Sequence, residues 1–410
     1  MSAAALLPLD GVRVVEFSHM VMGPTCGLVL ADLGADVVKV EPPGAGDRTR
    51  HLTSSGTGFF AAFNRNKRSA ALDPADPEDR AAILALADAA DVLVENFRPG
   101  GLDAQGLGYE ALSARNPRLI YVSLKGFLPG PYERRTALDE VVQMMSGLAY
   151  MTGPPGRPLR AGAPVNDMLG GVFGAVAVLA ALREREATGR GRHLTSGLFE
   201  TAAFLVSTHA LQAEITGAEP PPMPGGGRAW GVYDVFGTSD AVPLFVGVVT
   251  DRQWGLFTAA LAEPDLLDPA YATNAGRVAA RESLIPLVGR LLARRTAAEV
   301  EALCEGAGLP FARVNRPGDL LRDPHLIASG GLLDVTLPSD GRRARVPALP
   351  VAFGTDRLGV RRDLPRPGEH TAEVLSEIGI APDDGGGSAD RRAGDAAAPR
   401  EARTGRRPVD

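Results

Sequence analysis

Cysteine, lysine and net positive charge are scarce in this chain, and each shortage removes a class of function. Cys26 and Cys304 are the only cysteines in 410 residues, so no disulfide framework or thiolate metal cluster can be assembled from them. Both lie in apolar helical patterns, where inert buried thiols in a reducing compartment are expected. A formal net charge of −6 argues against nucleic acid as the main partner, because phosphate binding wants a basic face. No HExxH, paired CxxC or EF-hand spacing occurs, and no metal site is expected. There is no P-loop. After its first strand a dinucleotide fold needs G-x-G-x-x-G, but this chain has Ser18-His-Met-Val-Met-Gly-Pro-Thr-Cys-Gly. NAD and FAD lose their main support. The N-terminus lacks a basic n-region, and its apolar run is too short for a signal peptide. The most apolar later stretch, 169–182, is too short and Gly-rich to span a bilayer and reads as a buried core helix. A cytoplasmic protein is expected.

What is present is ordinary for a soluble protein, with 45% hydrophobic and 22% charged residues, and the length suits two domains. Strand patterns at 11–18, 36–41, 91–95 and 119–124 alternate with helices at 24–34, after Asp76, at 109–114, 138–151 and 169–186. That alternation implies a parallel, Rossmann-like α/β sheet. A strand at 193–197 and a helix at 198–215 follow. The run Pro220-Pro-Pro-Met-Pro-Gly-Gly-Gly marks a linker. A hairpin at 231–249, three helices and two short strand-like pieces come after it. The expected organisation is a large domain over 1–215, a linker, glycine loop and small α+β domain over 216–329, and a return segment over 330–381. A tail over 382–410 has almost no large apolar residue and is expected to be disordered.

Two features could carry chemistry. Lys39, Lys67 and Lys125 are the only lysines, each at a strand end or in a loop, where a compact ammonium could meet anionic ligand groups. Asp167 opens a helix in Pro164-Val-Asn-Asp-Met-Leu-Gly-Gly. By position alone Asn166 or Asp167 could be an N-cap. The same geometry favours an ionised carboxylate, with Gly170 and Gly171 leaving room for a bulky ligand, and such a carboxylate can attack a thioester.

Resemblance adds to this reading. The ordered segments Leu9-Asp-Gly-Val-Arg-Val-Val-Glu-Phe-Ser-His, Leu33-Gly-Ala-Asp-Val-Val-Lys-Val-Glu, Phe63-Asn-Arg-Asn-Lys-Arg-Ser, Asp91-Val-Leu-Val-Glu-Asn-Phe-Arg-Pro-Gly and the Asp167 segment resemble the family III CoA-transferases, the formyl-CoA transferase or CaiB/BaiF family. The resemblance runs to about residue 380. It implies Asp167 as a covalent nucleophile passing through aspartyl anhydride and aspartyl-CoA thioester intermediates, with Glu140 near the reacting centre. It implies coenzyme A contacts from His19, Met20 and Val21, from Leu72 to Ala75, and from Asn96, Phe97 and Arg98. Gly225, Gly226 and Gly227 look like the family's mobile active-site loop. The resemblance further implies a Rossmann-like large domain built from both chain ends, an inserted smaller domain and an interlocked homodimer. Coenzyme A would be a substrate, with no permanently bound cofactor and neither nucleic acid nor membrane as partner. Val21, Pro42 and Ala104 stand where some members carry a glutamine and two arginines, for which Arg48, Arg68 or Arg98 could substitute. The apolar residues Val21, Met22, Met144 and Met145 point to an acceptor larger than oxalate, such as mesaconate, itaconate or succinate. The rivals are an α-methylacyl-CoA racemase, disfavoured by the absence of a histidine in Thr136-Ala-Leu-Asp-Glu-Val-Val, and a non-catalytic acyl-CoA-binding protein.

Overall fold

The computed structural model describes residues 7–225 and 229–380; the expected tail and Gly226 and Gly227 lie outside these. The strands are β1 Arg13–Phe17, β2 Asp36–Glu41, β3 Lys67–Ala71, β4 Val92–Glu95, β5 Ile120–Lys125, β6 His193–Gly197, β7 Val232–Gly237, β8 Pro243–Val248, β9 Phe311–Arg313, β10 Leu332–Thr336, β11 Arg343–Pro347, β12 Ala352–Phe353 and β13 Asp356–Arg357. The helices are α1 Met22–Asp32, α2 Phe59–Phe63, α3 Pro77–Ala89, α4 Tyr109–Arg115, α5 Asp139–Ser146, α6 Leu148–Thr152, α7 Val165–Thr188, α8 Leu198–Leu205 and α9 Ser207–Thr216. They continue with α10 Asp251–Leu261, α11 Asn274–Ala279, α12 Arg281–Leu292, α13 Ala297–Gly306, α14 Pro324–Ala328 and α15 Thr371–Glu377. The described residues divide into two compact units, one of residues 7–142, 163–202 and 333–380, the other of 143–162, 203–225 and 229–332.

The first unit is built on a six-stranded sheet in the order β3-β2-β1-β4-β5-β6, with every neighbouring pair parallel. Successive strand residues face opposite layers, and both layers are dry. Val14, Val92, Val94 and Val122 pack under α1 and α7. Val15, Leu93 and Tyr121 pack under α3 and α4, with Val374 of α15. Strands buried on both faces read as apolar-rich runs, as Val14–Val15, Val37–Val38, Val92–Val94 and Ile120–Val122 show within β1, β2, β4 and β5. Asp76 caps α3 by accepting from the amides of Glu78 and Asp79, as Asp-Pro-Glu-Asp predicts. The chain's last described segment returns to this unit, where the amides of Arg361 and Arg362 donate to Asn66 Oδ1 at 2.6 and 2.9 Å.

β3 is a strand the hydropathy pattern does not reveal, because it carries Lys67, Arg68 and Ser69 into the interior. Glu16, wholly buried, answers two ammonium groups there: Lys67 at 2.8 Å and Lys39 at 3.4 Å, with Asp47 adding 3.0 Å to Lys39. Burial pulls the Lys67 ammonium down to about 8, with Glu16 holding part of the shift back. Arg68 is paired with Asp36, Glu373 and Glu377.

α7 is longer than the sequence pattern suggests, and it is not the fully buried core helix expected there. By length and composition it could cross a membrane. One face is laid on α1 through glycines: a Cβ on Gly171 would stand 2.5 Å from Met22 O, and one on Gly170 2.6 Å from Met22 Cε. The opposite face leaves Met168, Val172, Val176 and Leu179 exposed. Gly170 and Gly171 therefore serve helix packing rather than room for a ligand.

In the second unit β7, β8 and β9 form an antiparallel sheet. Its core joins Val232, Leu244 and Val246 to Trp254, Phe257, Leu284 and Val300. The hairpin is where the turn chemistry puts it; β9 is additional. The expected helix over 138–151 is broken at Gly147, whose φ is +87°.

Candidate active site

A helix that crosses over to a parallel strand runs antiparallel to it, so the N-terminus of α7 lies at the carboxyl edge of the sheet. Ligands of doubly wound sheets bind along that edge. Most of the expected contact residues gather there. The His19 amide donates to Asn96 Oδ1 at 3.0 Å, and Asn96 Nδ2 donates to His19 O at 2.8 Å. The His19 and Phe97 rings lie 5.4 Å apart. This clasp joins the ends of β1 and β4, and it closes over Gly23, where a Cβ would meet Asn96 Cγ at 2.9 Å. Met20 takes a left-handed φ of +63° and donates its amide to Thr49 Oγ1. Beside the clasp a groove of about 560 Å³ has an apolar floor of Phe17, Val40, Leu72, Pro74 and Phe97. Pro42 lies along it, with the carboxylates Asp73 and Asp76. Ala75 and Arg98 are exposed nearby in sequence.

Other expected contacts are placed elsewhere. The Val21 side chain is buried against Leu28 and Phe63, and that of Met22 is buried in the core. Lys39 and Lys67 are fully buried and matched to Glu16, which corrects the expectation that they meet a ligand phosphate. Arg68 is likewise spent on three carboxylates and cannot replace a missing arginine. Lys125 is at the carboxyl edge, but its ammonium is tied to Glu95 at 2.6 Å and to Phe97 O at 2.8 Å. It buttresses the loop that presents Phe97. In the second unit, Met144 and Met145 are exposed, and Gly225 sits in a turn against Pro155.

Asp167 itself lies in the first turn of α7 and is half-buried. It does not cap the helix. The N-cap is Pro164, which offers no side chain for the purpose, and the acceptor comes from α5 instead. Asp139 Oδ1 receives the amide of Asn166 at 2.8 Å and that of Asp167 at 3.2 Å. The Asp167 carboxylate accepts no hydrogen bond among the described residues. Burial raises its pKa to about 7, and the charges of Asp139 and then Glu140 push in the same direction. Glu140 is exposed, whereas Asp139 is buried at 4% exposure. Asp139 is an acidic neighbour that the sequence pattern does not single out; its signal is a helix opening on Pro164, which has no capping side chain.

A half-buried carboxyl group at the carboxyl edge of the sheet, poised between its two protonation states and without donors to quench its lone pairs, can act as a nucleophile. Residues 9–371 match CoA-transferase family III. The chain belongs to this family. An acyl-CoA transferase of Fusarium pseudograminearum is 37% identical, covering 91% of this chain and 85% of its own length. The succinyl-CoA:glutarate CoA-transferase of Mus musculus is 31% identical over 91% of this chain and 87% of its own. A CaiB/BaiF family protein from Brucella suis has a crystal structure that superimposes with a TM-score of 0.81, at 33% identity, covering 91% of this chain and 99% of that one. This chain is thus a CoA-transferase, an enzyme whose substrates are CoA thioesters and carboxylic acids.

Proposed function

We propose that this transferase passes coenzyme A from an acyl-CoA donor to a dicarboxylic acid through covalent intermediates on Asp167. A carboxylate oxygen of Asp167 attacks the thioester carbonyl, the C–S bond breaks, and the CoA thiolate leaves an acyl-aspartyl anhydride. The thiolate then attacks the aspartyl carbonyl, expelling the donor acid and leaving an aspartyl-CoA thioester. The acceptor carboxylate attacks that thioester and frees the thiolate again. Attack of the thiolate on the acceptor carbonyl of the second anhydride gives the new acyl-CoA and restores Asp167. Each step exchanges one activated carboxyl for another, so no ATP is needed, and the covalent link keeps the acyl group from water. The observation that carries this reading is the Asp167 carboxylate itself: half-buried, unbonded to donors and raised toward neutrality at the sheet's carboxyl edge.

The clasp of His19, Asn96 and Phe97 and the groove floored by Leu72 are where coenzyme A would lie, with a cytoplasmic enzyme as the setting. A dicarboxylate acceptor is favoured by the glutarate named for the mouse relative. We further propose a homodimer, interlocked as in the family. Support comes from the outward apolar row Met168, Val172, Val176 and Leu179 on α7, which a second copy would cover. Sedimentation at nanomolar concentration should give a dimer; a compact, active monomer overturns this part.

The covalent step is tested with wild-type enzyme and acyl-CoA in the absence of acceptor. Hydroxylamine should convert Asp167 to a hydroxamate and borohydride should reduce its thioester to an alcohol, both seen by mass spectrometry on the peptide containing Asp167. An active enzyme whose Asp167 peptide stays unmodified under both reagents removes the mechanism.

A further inference from the structure

We propose that Asp139 is a positioning residue for the transfer reaction, holding the first turn of α7 through two backbone amides while its charge sets the pH at which Asp167 becomes a nucleophile. The inference rests on the reading of Asp167 as the attacking group and extends it to a residue that touches neither substrate nor product.

The geometry is unusual for a helix start. The first amides of a helix have no intrahelical partner, and a side chain immediately before the helix normally accepts from those at the second and third positions. Here the preceding residue is Pro164, and the two amides in question, those of Asn166 and Asp167, both point at one oxygen of Asp139, 27 and 28 residues upstream. In return Asn166 Nδ2 reaches the Asp139 carbonyl at 3.5 Å. The starts of α5 and α7 are therefore clasped to each other, and Asn166 and Asp139 are both buried. An uncharged acceptor such as serine or asparagine would serve the capping purpose equally well. A carboxylate does something more, because it places a second negative charge beside the nucleophile.

Against this turn α1 contributes Met22 and Thr25, and the segment leading into α8 contributes Ser196, whose hydroxyl donates to Gly170 O at 3.0 Å. Asp139 and Glu140 both oppose the ionisation of the Asp167 carboxyl, after burial has done so. The amide bonds order the backbone, and the charge makes the Asp167 oxygens more basic when they do ionise. A more basic carboxylate is a stronger nucleophile, at the expense of the fraction ionised below neutral pH.

Two substitutions separate the two roles. Asp139→Asn keeps an acceptor oxygen and removes the charge, and Asp139→Ala removes both. Adduct formation on Asp167 from acyl-CoA alone, followed by hydroxamate mass spectrometry across pH 5–9, is the readout. In wild type it should rise through a midpoint near the pKa of Asp167. Asp139→Asn should move that midpoint down by about one pH unit, since a like charge has been withdrawn, with KM for acyl-CoA unchanged. Asp139→Ala should slow adduct formation by about 100-fold at every pH, as small misplacements of a reacting group do. If the Ala variant fails to fold, the Asn variant alone decides. A wild-type pH profile in Asp139→Asn overturns the inference while leaving Asp167 as nucleophile. Absence of any adduct in active wild-type enzyme overturns the nucleophile reading, and this inference with it.

Discussion

Glu16 and Asp167 are both carboxylates in the first unit, and the structure treats them in opposite ways. Glu16 is wholly buried, yet two ammonium groups compensate it, and its neighbours are drawn from β2 and β3. Asp167 is less deeply placed, but the charges of Asp139 and Glu140, of its own sign, act against its ionisation. Depth of burial therefore does not distinguish a structural carboxylate from a reactive one; the sign of its surroundings does. A buried charge that is answered is part of the fold, whereas one crowded by like charges stores free energy that chemistry can use.

The sharpest way to break this comparison is to remove each group in turn. Asp167→Ala should lose transfer by roughly four or more orders of magnitude, as for the loss of a covalent nucleophile, measured as turnover with a dicarboxylate acceptor. Its fold should survive, which circular dichroism checks. Glu16→Gln should do the reverse, leaving the chemistry intact in whatever protein folds. With Lys67 left uncompensated in the interior and Lys39 left with Asp47 alone, it should cost about 3–5 kcal/mol in urea unfolding.

A smaller effect tests the stored free energy directly. The pKa of Asp167 is raised in the folded state, so its contribution to stability is fully present below the unfolded value and is lost as pH rises through about 7. Asp167→Asn escapes that loss. At pH 8 it should be more stable than wild type by about 1–3 kcal/mol, and the difference should vanish near pH 4. Equal melting temperatures at pH 8 would mean that Asp167 is not destabilised by its neighbours. The smallest effect concerns the helix contact behind Asp167. Gly171→Ala places a methyl against Met22 O and Thr25, and overpacking of this kind costs about 1–3 kcal/mol, read as a lowered thermal midpoint.

Much of the fold is legible because its strands are apolar and punctuated. The bounds of β2 and β6 coincide with those read from the sequence, and most helices of the first unit fall within a few residues of expectation. β3 was not legible. Its Lys67, Arg68 and Ser69 look solvated, and only partners far along the chain, Glu16 and Glu377 among them, make their burial tolerable. Periodicity cannot see a charge balance that forms only after folding. The site divides in the same way. Asp167 was found by its helix-start segment and by resemblance, while Asp139 was hidden because its capping contact spans 27 residues. The lysines misled for the converse reason: their rarity suggested ligand binding, and their partners were invisible.

The glycine contact between α1 and α7 carries a consequence for how such an enzyme could diversify. α1 begins just after His19, and α7 carries Asp167 in its first turn, so the helix pair links the clasp of His19, Asn96 and Phe97 to the proposed nucleophile. At Gly170 and Gly171 the two helices touch with no side chain between them on the α7 side. A surface already reduced to bare backbone cannot be carved back further, and adding to it pushes the helices apart. Selection for new acids, whether in nature or in a directed-evolution campaign, would therefore find this wall rigid and would have to work on the loops and rims that face it.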